Sequence, residues 1–290
     1  MNYIIFALEW NQPADVTATV TDPLCLTGEI IEIGAVKLDE TFTLVDELRL
    51  YITPKYYTRM HKRIASLTGI HDRDLMTRGI PFPEAWEKFA EFCGEDYRFM
   101  TWSMSDMPML VDNMLLHGID VSQLPVCYDI QRVFGREIMR SSTRYALDVA
   151  INILGEKGDV AHDALHDAKN TAKVCNHLDL EEYLEEYGAQ VFAEEPRTRR
   201  YADHNEALND PDLTAFTCPW CGGKVECEPW IRGDRGYMTC GVCPEDEEEF
   251  LFQLTLHKLR NDDFRARRLI YEMCDDLWDI YQDRKEPLGV

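Results

Sequence analysis

Apolar positions follow two different rhythms along the chain. Over the first fifty residues they come in runs and alternations, and from about residue 80 they recur at three- and four-residue spacing. Tyr3 to Leu8 reads as a buried strand that ends in a single carboxylate, Glu9. GEIIEIGAVKLDE and LVDELRLYI read as two further strands, so the chain opens with a meander. PFPEAWEKFAEFCG carries Phe82, Ala85, Trp86, Phe89, Phe92 and Cys93 at helical spacing, opens at a proline and closes at Gly94. YRFMTW predicts a short buried strand, and DMPMLVDNMLLHG a helix with Pro108 near its first turn and Gly118 past its end. STRYALDVAINILG and DALHDAKNTAKVCNHL predict two more helices. Strands followed by alternating strands and helices indicate an α/β domain with a mixed sheet over residues 1–188.

The pattern then stops. Residues 189–212 turn to Glu, Arg, Asn, Asp and Pro without periodicity, which predicts a linker or surface strap. Residues 213–290 form a smaller module with CPWC at 218–221, CGVC at 240–243 and the stretch FLFQLTLHKL. It ends in an expected amphipathic helix, DFRARRLIYEMCDDLWDIYQD, capped by Asn261 or Asp262, whose Phe264, Ile270, Leu277, Trp278 and Tyr281 would pack on the domain or on a second copy of the chain.

Charge narrows the function. A formal net charge of −23, from 53 acidic and 30 basic residues, excludes a protein that coats nucleic acid through a general positive field, so any nucleic acid must be held by a local basic patch or by metal ions. The apolar opening has no basic lead and is cut by Glu9, and no window approaches the ~20 apolar residues of a membrane span. These features predict a cytoplasmic protein with no membrane partner. Four of the ten cysteines fall in two CxxC pairs, which points to metal rather than to disulfides.

Candidate chemistry lies at Glu9, at Asp106 where a buried strand gives way to a helix, and in HDALHD, where His162 and Asp167 stand five residues apart. At ~100° per residue that offset turns ~140° around a helix, so His162 is placed in the loop ahead of the helix and Asp167 in its first turns. Carboxylates at strand ends and at the head of a neighbouring helix converge on one sheet edge, where Mg²⁺ or Mn²⁺ takes oxygen ligands. Two such ions ~4 Å apart could bind the attacking and leaving oxygens of a phosphodiester while a histidine takes a proton from water. Such a site needs about four carboxylates, and Glu9, Asp106 and Asp167 make three.

The ordered motifs, strand-x-L-E, then W-x-x-x-D, then H-D-A-L-H-D-A-K-N-T-A, together with GEIIEIGAV and SLTGIHDRDL, resemble the DEDDh branch of the DnaQ/RNase T-like 3′-to-5′ exonucleases over roughly residues 3–180. The resemblance implies a ribonuclease H-like fold, with a mixed five-stranded sheet flanked by helices, and removal of single nucleotides from a 3′ end. It also implies that Glu9 and Asp167 bind the first of two Mg²⁺ or Mn²⁺ ions, Asp106 the second, and that His162 is the general base. The family begins its first motif with an aspartate that bridges both metals, and this chain has Ala7 there. Loss of that carboxylate predicts an inactive or nearly inactive protein, either altered by hand at this position or a natural pseudo-exonuclease.

The quartet Cys218, Cys221, Cys240 and Cys243, with 18 residues between the pairs, matches the spacing of one structural Zn²⁺ in a zinc ribbon. Cys25, Cys93, Cys127, Cys175, Cys227 and Cys274 lack such spacing and read as packing residues. Lys224, Trp230, Arg232 and Arg235 offer the ribbon a nucleic-acid contact, although the acidic run EDEEE beside them equally suits a scaffold or a docking module for a protein partner. For a single-stranded RNA or DNA substrate the basic and aromatic stretch PKYYTRMHKRIASLTGI supplies Lys55, Arg59, Lys62 and Arg63, and Arg132, Arg136, Arg140 and Arg144 form a second basic stretch. Leu8 and Trp10, flanking Glu9, are candidates to touch the terminal nucleotide. The acidic charge favours short or guided substrates. Two other readings remain: a non-catalytic adaptor that holds a 3′ end or a protein, and a proofreading subunit for a polymerase.

Overall fold

The computed structural model describes residues 1–14, 18–22, 24–122, 124–193, 199–233, 236–259 and 261–285. The chain divides into two compact units. The first comprises Met1–Ala14, Thr27–Asp120 and Pro125–Gly188, and the second Asp15–Leu26, Val121–Leu124 and Ala189–Val290.

The first unit opens with β1 (Asn2–Asn11), β2 (Glu29–Leu38) and β3 (Leu44–Tyr51), the expected meander. Three helices follow, α1 (Lys62–Thr68), α2 (Asp72–Arg78) and α3 (Phe82–Cys93), and then β4 (Tyr97–Thr101) and α4 (Asp106–Leu116). β5 (Cys127–Asp129), α5 (Ile130–Glu137), α6 (Leu147–Ile153), α7 (Ala164–Cys175) and α8 (Leu180–Tyr183) lead to β6 (Gly188–Ala189). The sheet order is β3-β2-β1-β4-β5-β6. β1 pairs antiparallel with β2 and parallel with β4, and β4 pairs parallel with β5, so the sheet is mixed. It has six strands where five were expected, because the two-residue β6 adds an edge too short for periodicity to reveal.

β2 is buried along nearly its whole length because it lies between β1 and β3 with α7 packed on its face. A continuous core joins Ile5, Val36, Met100, Ile130, Leu165 and Ala168. Gly34 makes the close approach of α7 possible, since a Cβ there would lie 2.0 Å from the Leu165 nitrogen.

The second unit is antiparallel. β7 (Val191–Ala193) and β8 (Arg200–Tyr201) precede α9 (His204–Leu208) and α10 (Pro211–Thr214). β9 (Glu226–Cys227), β10 (Ile231–Gly233), β11 (Gly236–Val242), β12 (Glu249–Lys258), β13 (Phe264–Glu272) and α11 (Asp275–Lys285) complete it. The sheet runs β10-β11-β12-β13-β7, with β8 also on β13 and β9 also on β11.

Two sequence expectations change here. Residues 189–212, expected to be a linker, hold two short strands and two short helices among the described residues, because β13 offers an edge that β7 and β8 complete. The expected C-terminal helix from Asp263 is a strand as far as Glu272, and only Asp275–Lys285 is helical. Nine consecutive residues of β13 pair with β12, and this ladder overrides the helical spacing of Phe264 and Ile270. The Asn-Asp-Asp sequence read as a helix cap is instead the hairpin turn, where Leu259 donates to the Asp263 carbonyl at 2.7 Å and Asp262 takes a φ of 67°.

Candidate active site

A cleft of about 440 Å³ in the first unit is lined by Ala7, Glu9, Asp106, His162 and Asp167, with Leu8, Trp10, Gln12, Arg63, Ile64, Leu67, Trp102, Leu147 and Thr171 around them. The candidate catalytic positions of all three motifs therefore border one space.

β1 delivers Ala7 and Glu9 to one face because residues two apart in a strand point the same way. The pairing of β1 with β4 ends at Ile5 and Met100, which leaves the Leu8 N–H beyond the ladder. Asp106, in the first turn of α4, accepts that N–H through Oδ1 at 3.0 Å. Its side chain thus continues the work of the strand that stopped and is held against the strand end. His162 stands just outside α7 in a left-handed backbone conformation, φ 62°, that residues other than glycine adopt uncommonly. Asp163 caps α7 by accepting the His166 N–H at 3.0 Å, and Asp167, in the first turn, accepts the His162 N–H through Oδ2 at 3.3 Å. The division expected for this motif, histidine in the loop and aspartate on the helix, is the one observed.

Ligand atoms of Glu9, His162 and Asp167 all lie within 4.8 Å of one another. The electrostatics match this crowding. Glu9 is pushed up to about 8, first by burial and then by Asp167, Glu32 and Asp106. Burial raises Asp106 to about 7 against the opposing hydrogen bond from Leu8, and it raises Asp167 to about 6 against the opposing effect of His162. Carboxylates that raise one another in a confined space form a donor set for a divalent cation, which relieves the repulsion that each proton otherwise relieves. The residues present fit Mg²⁺ or Mn²⁺, with Ala7 contributing no oxygen.

Several supporting residues escaped the sequence reading. Glu32, paired in register with Glu9, is fully buried and accepts the Ala164 N–H at 3.2 Å. Arg49 on β3 lies 3.5 Å from Glu32 through Nε and bonds Asp163 through its other end. Glu32 and Arg49 thus hold the N-terminus of α7 to the sheet. Asn11 donates to the carbonyls of Tyr57 and Arg59, at 2.7 and 2.8 Å, and accepts the His61 N–H at 2.8 Å. The Glu29 carboxylate accepts from the amides of Lys55, Tyr56 and Tyr57. Two buried polar side chains therefore fix the basic stretch. Trp102 and Gln131 donate to the Tyr145 carbonyl, at 3.0 and 2.7 Å, which sets the chain that leads to Leu147. Charged or amide side chains inside otherwise apolar strands, Glu29, Glu32 and Asn11, were the available signal.

Of the residues considered for substrate contact, Leu8, Trp10 and Arg63 line the cleft and Lys55, Arg59 and Lys62 do not. Lys55 lies over the Tyr56 ring and Arg59 lies 3.5 Å from Asp72. Arg132, Arg136, Arg140 and Arg144 are also absent from the lining, and Arg132 donates to the Ser142 carbonyl at 2.8 Å.

In the second unit the cysteine quartet is not assembled as spaced. Cys218, Cys221 and Cys243 gather with Asp246, all ligand atoms within 4.8 Å, and Cys240 is not among them. Cys240 lies within β11, buried and paired with Leu251 on β12, whereas Cys243 follows the end of that strand and opens the next turn. Lys224 is exposed, Trp230 packs beside Phe216, Arg232 lies over Tyr237, and Arg235 lies outside the described residues.

A model of the exonuclease family named for RNase T matches residues 15–175. The chain belongs to this family. No curated protein gives a significant match. Among solved structures, the nuclease domain of 3′hExo, a DEDDh family member, solved with rAMP, aligns with a TM-score of 0.53 at 21% identity over 63% of this chain and 94% of that one. The zinc-bound form of the Escherichia coli ExoI–ssDNA complex aligns with a TM-score of 0.52 at 12% identity over 83% of this chain and 54% of that one. Both show the ribonuclease H-like fold that the resemblance implied. Among the described residues no helix is long and apolar enough to cross a membrane.

Proposed function

We propose that this exonuclease-family chain is built as a metal-dependent 3′-to-5′ exonuclease for single-stranded RNA or DNA, short oligonucleotides included, and that Ala7 leaves it catalytically impaired. The observation that carries the reading is the convergence of Glu9, Asp106, His162 and Asp167 on one cleft with Ala7 among them. Glu9 and Asp167 would hold one divalent ion and Asp106 a second. Bound there, the ions would supply positive charge to the scissile phosphate and would acidify a water. His162, exposed beside Glu9 and Asp167, is placed to take a proton from that water, and its main-chain bond to Asp167 fixes the loop that presents it. Leu8, Trp10 and Leu147 offer apolar walls for a base and Arg63 a cation for phosphate. A cleft of about 440 Å³ suits a terminal nucleotide rather than a long duplex. Similar folds solved with rAMP and with ssDNA support a nucleic-acid substrate.

Residue 7 faces Gly34 across the β1–β2 pairing and shares the Glu9 face, so an aspartate there would enter the same cluster. Degradation of 5′-labelled single-stranded RNA and DNA by this chain and by Ala7→Asp, with Mg²⁺ and separately with Mn²⁺, tests the reading. The aspartate variant is expected to give a ladder of 3′-shortened products at a rate raised about 10²–10³-fold, the worth of one electrostatic group at such a site. Ala7 is also the observation that favours a second reading, a non-catalytic adaptor. If both proteins bind the strands and neither shortens them, the adaptor stands and the catalytic reading falls.

A further inference from the structure

The structure assigns to the second unit a metal centre whose fourth ligand is Asp246 and not Cys240, formed by two copies of one turn 25 residues apart at Cys218 and Cys243. The first turn reads Cys218-Pro219-Trp220-Cys221-Gly222-Gly223 and the second Cys243-Pro244-Glu245-Asp246-Glu247-Glu248. Their backbones repeat bond for bond. Cys218 donates its N–H to the Gly223 carbonyl at 2.8 Å, and Cys243 donates to the Glu248 carbonyl at 2.8 Å. The Cys218 carbonyl accepts from Gly222 at 3.0 Å, and the Cys243 carbonyl accepts from Glu247 at 2.9 Å. Gly222 has a φ of 77° and Glu247 a φ of 62°, so each turn reverses through a left-handed residue at the same place. The fourth residue of each turn takes an N–H from two residues on, Gly223 to the Cys221 sulfur at 3.3 Å and Glu248 to Asp246 Oδ1 at 3.2 Å. Asp246 therefore occupies in the second turn the position that Cys221 occupies in the first.

The separations suit one tetrahedral ion. The Cys221 and Cys243 sulfurs are 3.5 Å apart, and the Cys218 sulfur lies 3.2 Å from Asp246 Oδ2. Two thiolates at the ~2.3 Å of a Zn–S bond lie ~3.8 Å apart across a tetrahedron, whereas a disulfide brings its sulfurs to ~2.05 Å. The carboxylate is held by Glu248 through one oxygen, which leaves Oδ2 turned to the thiols. Amides of Trp220 and Gly223 donate to the sulfurs of Cys218 and Cys221, which stabilises thiolates. Cys218 and Cys243 are buried in a cluster with Phe216, Val225, Phe250 and Phe252, so the centre ties both turns to the core. Three thiolates and one carboxylate select zinc or a similar borderline cation over Mg²⁺ or Mn²⁺. Glu245, whose carboxyl carbon would meet a Cβ on Gly223 at 2.9 Å, stands beside the turns and is not one of the four.

The test is zinc content, by plasma mass spectrometry, of the full chain and of Cys240→Ser, Asp246→Ala and Asp246→Cys. The parent and Cys240→Ser are expected to carry one zinc per chain, Asp246→Ala to lose it at least tenfold faster to a chromogenic chelator, and Asp246→Cys to keep it. Zinc lost from Cys240→Ser and retained by Asp246→Ala would overturn the assignment in favour of four cysteines. A parent that takes up no zinc when supplied with it would overturn the site altogether. Because an alanine variant can fail to fold, Co²⁺ substitution of the parent and of Asp246→Cys gives a second readout. Thiolate-to-cobalt absorption should rise by about one third, three thiolates becoming four, and an unchanged band would show that residue 246 is not a ligand.

Discussion

Gly34 on β2 lies directly beneath Leu165 at the head of α7, with space for a hydrogen and no more: a Cβ at residue 34 would stand 2.0 Å from the Leu165 nitrogen and 2.1 Å from the Ala164 carbonyl carbon. The obstacle is backbone and cannot swing aside, so the position of α7, and with it of His162 and Asp167, is set by the absence of one methyl group. Gly34→Ala is expected to cost about 1–3 kcal/mol through forced displacement of the helix. In the Ala7→Asp background it should also weaken Mn²⁺ binding. A melting temperature within a degree of the parent would show that α7 does not rest on this residue.

Arg49, directly across from Gly34, and Glu32, two residues before it, hold the same helix from the same face of the sheet. Arg49→Met removes the cation between Glu32 and Asp163 and leaves a fully buried carboxylate with only the Ala164 N–H beside it. The expected loss is about 1–3 kcal/mol, the cost of a buried charge that has lost a partner. Glu32→Gln in the same background should recover part of it, since the amide carries no charge to isolate. Denaturant unfolding of the two single variants and the double variant gives the coupling, and strict additivity would refute the pairing.

Asn11 makes three hydrogen bonds to the segment that carries Arg63 towards the cleft. Asn11→Ala leaves two carbonyls and one amide without their partner, for an expected cost of about 1–3 kcal/mol. The more specific outcome is local. Amide exchange at residues 57–61 should accelerate far more than exchange in β4, and equal acceleration in both would mean that the clamp is not local.

The carboxylate cluster makes stability depend on pH and on metal together. Glu9, Asp106 and Asp167 are held up to about 8, 7 and 6, whereas in the unfolded chain they ionise near pH ~4. Between those limits the folded state keeps protons that the unfolded state releases, so the metal-free fold loses stability as the pH rises through the window and is free of this penalty below pH ~4. Divalent cations bind the ionised form and oppose the loss. The melting temperature in chelator should fall from pH ~5 to ~8, and Mg²⁺ or Mn²⁺ should raise it more at the upper end. A metal effect equal at both ends would mean that these carboxylates are not the groups that bind it.

What could be read in the sequence was whatever depends on neighbours along the chain. β1, β2, β3, α3, β4, α4 and α7 follow from alternation, apolar runs, prolines and glycines, and the placing of His162 ahead of the helix and Asp167 on it follows from 3.6 residues per turn. The three motifs were visible because their residue types and order carry the chemistry. What only the tertiary structure decided depends on partners far away in the chain. Residues 264–272 became a strand because β12, β7 and β8 offered a ladder on both edges, which outweighs local periodicity. Glu32, Arg49, Asn11 and Glu29 are ordinary polar residues until the fold buries them against particular amides. The cluster of candidate ligands is shifted by three residues from the one the spacing named, from Cys240 and Cys243 to Cys243 and Asp246, because strand pairing carries β11 as far as Val242 and fixes where the second turn begins. Spacing names the residues that could bind, and the direction of each side chain, set by the strand or turn that holds it, decides which of them come together.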